Sequence, residues 1–290
     1  VGIKYLLDGA NFTDPAMPII RDDPVLADGT LLLVDLGHSL GRIAAGLPAE
    51  GSAIPNIAYR QAATLIGSGD QASLSPTWST SGLTSGDAIV ERSGKLGLHV
   101  IMSQVNDEEG DNARVAFPAA IKQYMLDHPT HDYALSVWER LTRPAVAGAT
   151  ADIEAGIYNS FIGPATSNNL MLFSRFQGYP GVRLGARGMS VQAAGNVLRN
   201  MAVDGFTGTL PASLSQIEAV WTCGGYGAFA TYMTHKSRSA IFYRMVFEDL
   251  TASGRTYADF DAADLAAFNA AFAAGGRFYG DTFTDPATLP

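Results

Sequence analysis

The stretch 133–142 alternates with a period of two. Tyr133, Leu135 and Val137 fall on one face, and Ala134, Ser136 and Trp138 fall on the other. Successive side chains of a strand point to opposite faces, so this pattern predicts a strand with one core face and a tryptophan on the second. Further strands are predicted at 154–163, 169–176, 181–191, 217–227, 228–235 and 239–250, with 95–105 before them and a continuous apolar run ended by glycine at 30–37. Clusters of Gly, Asn, Pro and Ser separate the later runs at the spacing of antiparallel sheets. Helical spacing is rarer. It predicts one helix over 57–66, one over 118–127 with Pro118 in its first turn, and one near the end of the chain. That last helix is expected to be capped by Asp261, with Asp264 three residues on and Leu265, Phe268 and Phe272 as its apolar stripe. Gly275 and Gly276 stop it, and the tail beyond is apolar enough to dock.

Two segments lack either period. Residues 1–30 hold Pro15, Pro18 and Pro24 and read as an extended arm. Residues 67–87 are poor in charge and rich in Ser, Thr and Gly, the composition of a flexible linker. Leu74, Trp78 and Leu83 argue that this segment packs against something. Together with Ile54 in the loop before it, Leu74 and Trp78 are expected to be assembly contacts, buried by another chain.

Composition narrows the class. The chain has 290 residues, 47% apolar and only 16% charged, with 31 glycines and a net charge of −9. That is enough chain for a large core and too apolar for disorder. No Lys/Arg cluster is present, so binding to nucleic acid or to an anionic membrane surface is not expected. No apolar window is long enough for a membrane span. The opening VGIKYLLDGANF lacks the layout of a signal peptide, which points to synthesis in a cytoplasm. A single cysteine, Cys223, excludes an intrachain disulfide and sulfur-ligated zinc.

Chemical motifs are weak. GSGDQA at 67–72 has no helix after it to receive a pyrophosphate, and RSGKLG at 92–97 puts Leu96 where a phosphate loop needs a hydroxyl. NDEEGDN at 106–112 is the densest acidic cluster. An EF-hand register through Gly110 would put Val105 and Ala116 at ligand positions, so a solvated turn is expected there, with an irregular Ca²⁺ site as the alternative, and no cofactor is placed. The five histidines lack metal spacing, and no Gly-x-Ser-x-Gly elbow marks a nucleophile, although a dispersed triad stays open. Strand carboxylates Glu139, Glu154, Glu218 and Glu248 stand singly rather than as a glycosidase pair. The aromatics are the stronger set. Trp138, Tyr158, Trp221, Tyr226 and Tyr232 suit sugar stacking or a wet protein interface.

DYALSVWERLTR, NLMLFSRF, AVWTCGGYG and SAIFYRMVFEDL resemble the strands of a concanavalin-like, laminin-G-type jelly roll. In that fold the second face of a core strand lies in a groove or under a neighbouring element, so Trp138 is either presented or buried twice. The flanks DGTLLLVDLGHSLGRIAAGLPAEGSAIPNIA, KLGLHVIMSQ and EDLTASGRTYADFDAADLAAF resemble structural proteins of tailed bacteriophages. The two resemblances imply a mainly β, antiparallel jelly-roll sandwich over 118–256. An arm and assembly region over 1–117 precedes it, and a C-terminal helix with a docking tail over 257–290 follows. They imply a non-enzymatic virion component, a homo-oligomer in the tail tip, baseplate or fibre that touches other virion proteins and host surface glycan. A capsid decoration or spike is the near alternative, and a carbohydrate-active enzyme on the same fold is the alternative of another class.

Overall fold

The structure is a computed structural model. It describes residues 23–43, 46–80, 82–146, 153–159, 170–175, 197–204, 214, 217–225 and 233–290. The described part is mainly β and antiparallel. The strands are β1 (Thr30–Asp35), β2 (Thr77–Ser79), β3 (Ala88–Arg92), β4 (Leu98–Met102), β5 (Asn112–Ala116), β6 (Tyr133–Arg143), β7 (Ile153–Asn159), β8 (Leu170–Arg175), β9 (Val197–Asp204), β10 (Ile217–Gly224) and β11 (Ser239–Asp249). The helices are α1 (Tyr59–Ile66), α2 (Ala119–Asp127), α3 (Leu250–Ser253) and α4 (Tyr257–Phe272).

The first sheet runs β3-β4-β11-β6-β9, with β1 also paired to β11, and the second runs β2-β5-β10-β7-β8. β11 is long enough to carry two partners on one side: β4 along Ala240–Phe242, and β1 from Arg244 to Glu248. One apolar core draws on both sheets. Leu135, Val137, Phe242, Met245 and Phe247 from the first meet Val115, Trp221 and Cys223 from the second. The chain crosses between sheets at most connections, and the β3–β4 and β7–β8 hairpins are the steps that stay within one sheet.

Several expectations are corrected. The region 1–117 is not a separate arm from Thr30 onward, because β1 to β5 supply strands to both sheets. Ile54, Leu74 and Trp78 do not wait for another chain, since their own chain buries all three in the shared core. The reason is a covered edge. Gly51 N–H donates to Trp78 O at 2.9 Å, Trp78 N–H donates to Ser52 O at 2.9 Å, and Ile54 N–H donates to Pro76 O at 2.8 Å. This short β-like pairing turns the Ser/Thr-rich segment into an edge strand. Residues 233–236 form a turn where a strand was expected, and the strand expected at 181–191 lies outside the described residues.

The last helix begins a turn earlier than Asp261. Thr256 caps it in a reciprocal box with Asp259: the Asp259 N–H donates to Thr256 Oγ1 at 3.2 Å, and the Thr256 N–H donates to Asp259 Oδ2 at 3.1 Å. Of the expected stripe, Phe268 and Phe272 pack against the sheet and Leu265 is exposed, while Phe260, Asp264, Ala267 and Ala271 complete the packed face. The tail docks as expected. Gly37 lies against the Phe278 ring, where a Cβ would come within 2.7 Å.

Candidate functional site

The outer face of the first sheet answers the question posed by Trp138. A β-bulge between Phe242 and Arg244 puts Tyr243 and Arg244 in succession on that face. Two guanidinium groups lie against the Trp138 ring, Arg244 at 4.6 Å and Arg277 at 5.7 Å from its centroid. Phe268 and Phe272 meet it edge-on. Its Nε1–H donates to Asp264 Oδ1 of α4 at 3.1 Å, and Ser136 Oγ donates to Asp264 Oδ2 at 2.7 Å. Arg244 is fully buried and holds Asp23 at 2.8 Å and Asp35 at 2.7 Å, while Arg277 also pairs with Asp35. Burial alone would raise the Asp23 carboxyl, but the bonds and charge of Arg244 outweigh it and hold it below its ordinary value.

Trp221 is equally closed. Its Nε1–H donates to Glu139 Oε2 at 2.8 Å, and Arg238 Nη1 reaches both Glu139 oxygens at 3.2 Å. Neither tryptophan offers a face to a sugar, since both are fully buried. Tyr226 and Tyr232 lie outside the described residues, and Tyr158 is placed on β7 opposite Glu218. The expected aromatic set is therefore not gathered by the described residues. Glu139 and Glu248 are likewise committed, the first to Arg238 and the second to Arg255.

Two constellations are dispersed in sequence and invisible to spacing. In one, Glu91 Oε1 lies 2.8 Å from His99 Nδ1, and His99 Nε2 lies 2.9 Å from Thr142 Oγ1. This is the order of a carboxylate–imidazole–hydroxyl relay. The tail closes over it: Phe283 packs edge-on against His99, and Thr284 donates to Glu91 from its N–H and hydroxyl. Burial pushes His99 below its ordinary value, against the pull of Glu91. In the other, Tyr124 OH and His131 Nδ1 converge on Asp249 Oδ2 at 2.9 and 2.6 Å, with His128 beside His131. The arrangement fixes the orientation of a partly exposed imidazole. No hydroxyl or thiol nucleophile bonds to that imidazole among the described residues, where no group of His, Cys, Asp and Glu suits a metal ion either.

The open feature lies at the rim, where β2 and β3 stand at corresponding edges of the two sheets. A cleft of about 220 Å³ there is lined by Leu47, Trp78, Thr80, Leu83, Ala88 and Val90 among others. Thr80 N–H donates to Glu50 Oε2 at 2.6 Å, and Thr84 N–H donates to Asp87 Oδ2 at 2.8 Å, so one end is acidic. At the other end, Arg92 is the next residue on the same face as Ala88 and Val90. No protein-family model matches the chain, and no curated protein matches it. No described helix is long and apolar enough to cross a membrane.

Proposed function

We propose that this chain is a non-enzymatic structural component of a tailed-phage virion, built on a jelly-roll sandwich and placed in the tail tip, baseplate or fibre. The observation that carries the reading is a fold closed upon itself beside one open rim. α4 and the tail pack on the outer face of the first sheet, whereas no described strand pairs with the outer edge of β3. A part held between neighbours needs a fixed shape and a place to be gripped, and a free strand edge is such a place. The repeated crossing of the chain between sheets supports the jelly roll. Self-association and contacts with other virion proteins belong to the same proposal, and a capsid decoration or spike would use the same edge. Contact with host glycan falls to Tyr158, Tyr226 and Tyr232, because Trp138 and Trp221 are closed.

Electron microscopy with antibodies to the chain tests the reading. Particles from the strain that carries the gene should be labelled at the tail. Unlabelled intact particles would overturn the virion assignment. Incubation with bacterial surface polysaccharides should give binding without new reducing ends, and their release would make the chain a carbohydrate-active enzyme instead.

A further inference from the structure

The first sheet is unequally protected at its edges. β1 is covered by a side chain acting as a strand: Asn56 Oδ1 accepts from Leu33 N–H at 3.0 Å, and Asn56 Nδ2 donates to Leu31 O at 3.0 Å. Ile57 N–H completes the cover by donating to Leu33 O at 2.8 Å. Among the described residues, β3 has no such cover. Ser103 N–H donates to Asp87 O and Ser93 N–H to Gly97 O, which fixes the phase of the β3–β4 ladder. The odd-numbered residues of β3 therefore face β4, and Val90 and Arg92 turn their N–H and C=O groups away from it. Ala88 N–H is taken by Thr84 O at 3.1 Å, while neither Val90 nor Arg92 has a backbone partner on that side among the described residues.

The side chain of Arg92 is also unsatisfied. Its Nη1 is buried and makes no hydrogen bond. The fully buried guanidinium groups of Arg238 and Arg244 each hold a carboxylate, whereas Arg92 is half-buried. Burial without a nearby acid pulls Arg92 down to about 10. Such a group costs stability as it stands and gains most from a carboxylate brought to it.

We infer that the β3 edge is a strand-addition site for an extended segment of a partner protein, one that places a carboxylate side chain opposite Arg92 and an apolar side chain opposite Val90. In an antiparallel pair the partner residue opposite Val90 exchanges two backbone hydrogen bonds with it, and its side chain enters the cleft beside Trp78 and Leu83. The residue opposite Arg92 precedes it by two positions and shares its face. The sequence read by the edge is therefore acid, any residue, apolar residue. A second copy of β3 does not fit this code. Two-fold pairing of β3 edges sets Arg92 against Gly86, Ala88 or Val90, none of which carries a carboxylate. The inference rests on the assembly reading and adds to it the chemistry of the partner.

The test uses the full chain and fluorescent capped peptides of about eight residues, a usual strand length. One peptide has glutamate two positions before valine between threonines, and its twin has glutamine there. Fluorescence anisotropy should show saturable binding of the glutamate peptide and at least about tenfold weaker binding of the glutamine twin. Arg92→Gln should erase that difference. Val90→Pro should abolish binding while leaving the melting temperature near wild type, because the lost N–H points away from β4. Hydrogen exchange should find the Val90 and Arg92 amides open in the free protein and protected with peptide. Equal binding of the two peptides, no saturation by about 1 mM, or protected amides in the free protein would each overturn the inference. Labelled phage tails together with a failed peptide titration would sink the partner code and leave the virion reading standing. A successful titration with unlabelled particles would do the reverse.

Discussion

The two faces of β6 are built on opposite rules. On the core face Tyr133, Leu135, Val137 and Leu141 bury apolar surface, which is strong and indifferent to direction, with Glu139, held by Arg238, as the polar exception. On the outer face Ser136 and Trp138 bond to Asp264, and the neighbouring Arg244 grips two aspartates. Buried ion pairs contribute little net stability, since desolvation offsets most of the attraction, but they tolerate few alternatives. The core face holds the sheets together, and the outer face decides where α4 and the tail must lie.

The comparison breaks most visibly at Arg244. Arg244→Met should destabilise the fold by about 3–5 kcal/mol in urea unfolding, because Asp23 and Asp35 are left buried with only Arg277 nearby. Leu135→Ala on the core face should cost a similar amount, about 2–5 kcal/mol, through a cavity. The two losses differ in how they can be repaired. Adding Asp23→Leu and Asp35→Leu to Arg244→Met should restore much of the stability, whereas no change of charge repairs the cavity. If the triple variant is no more stable than Arg244→Met alone, the outer network is a source of net stability and the contrast between faces fails.

A smaller loss is expected at Trp138. Trp138→Phe keeps an aromatic ring against Arg244 and Arg277 but removes the N–H that Asp264 accepts. Leaving that buried carboxylate short of one donor should cost about 1–3 kcal/mol, and proteolysis should then cut first around α4. Cleavage spread evenly along the chain would mean that the tryptophan does not position the helix.

Sequence patterning found the faces but not their contents. Apolar runs of strand length, continuous in β1 and alternating in strands such as β6, marked β1, β4, β6, β7, β8, β10 and β11. β2, β3, β5 and β9 are not among them. The first three are five residues or shorter, β9 has eight, and all four owe their strand state to partners far along the chain, as when Val115 pairs with Trp78 and Trp221 or β9 pairs with β6. The tryptophans were flagged as the residues of interest, yet whether they were open or closed depended on Asp264 and Glu139. Those partners stand 126 and 82 positions away, beyond any local signal. Charged residues misled in the same way. Asp264 reads as a first-turn helix residue until Thr256 and Asp259 take over the cap.

The outer face also carries the titratable groups, which gives the comparison a pH dependence. His99 is held below 6.5 by burial, so between its folded value and 6.5 the unfolded chain binds a proton that the folded chain refuses. Stability therefore falls as pH drops through 6.5, by at most about 1.4 kcal/mol per pH unit for this one proton. Glu91 adds a loss of the same sign at lower pH. Burial raises its carboxyl, but Thr284 and His99 outweigh that and hold it below 4.5. Melting curves from about pH 7 to pH 5.5 should show the first loss, and His99→Gln should flatten it. An unchanged slope in that variant would move the acid sensitivity away from the tail-covered face.

The smallest effect sharpens what holds α4 in place. Its N-terminal box of Thr256 and Asp259 is exposed, whereas Asp264, two turns from the start, is fully buried against the sheet. A helix held from beneath should fray at a damaged cap without detaching. Thr256→Ala should speed amide exchange about fivefold in the first turn of α4, the scale of a lost capping hydroxyl. Exchange at Ala271 and Phe272 should stay as it was, because Trp138 and Phe278 still pack against that end. Faster exchange along the whole helix would show that the cap, rather than the buried carboxylate, sets its stability. The outer face would then be a covering held by its own local structure, and the division of labour between the two faces of β6 would be lost.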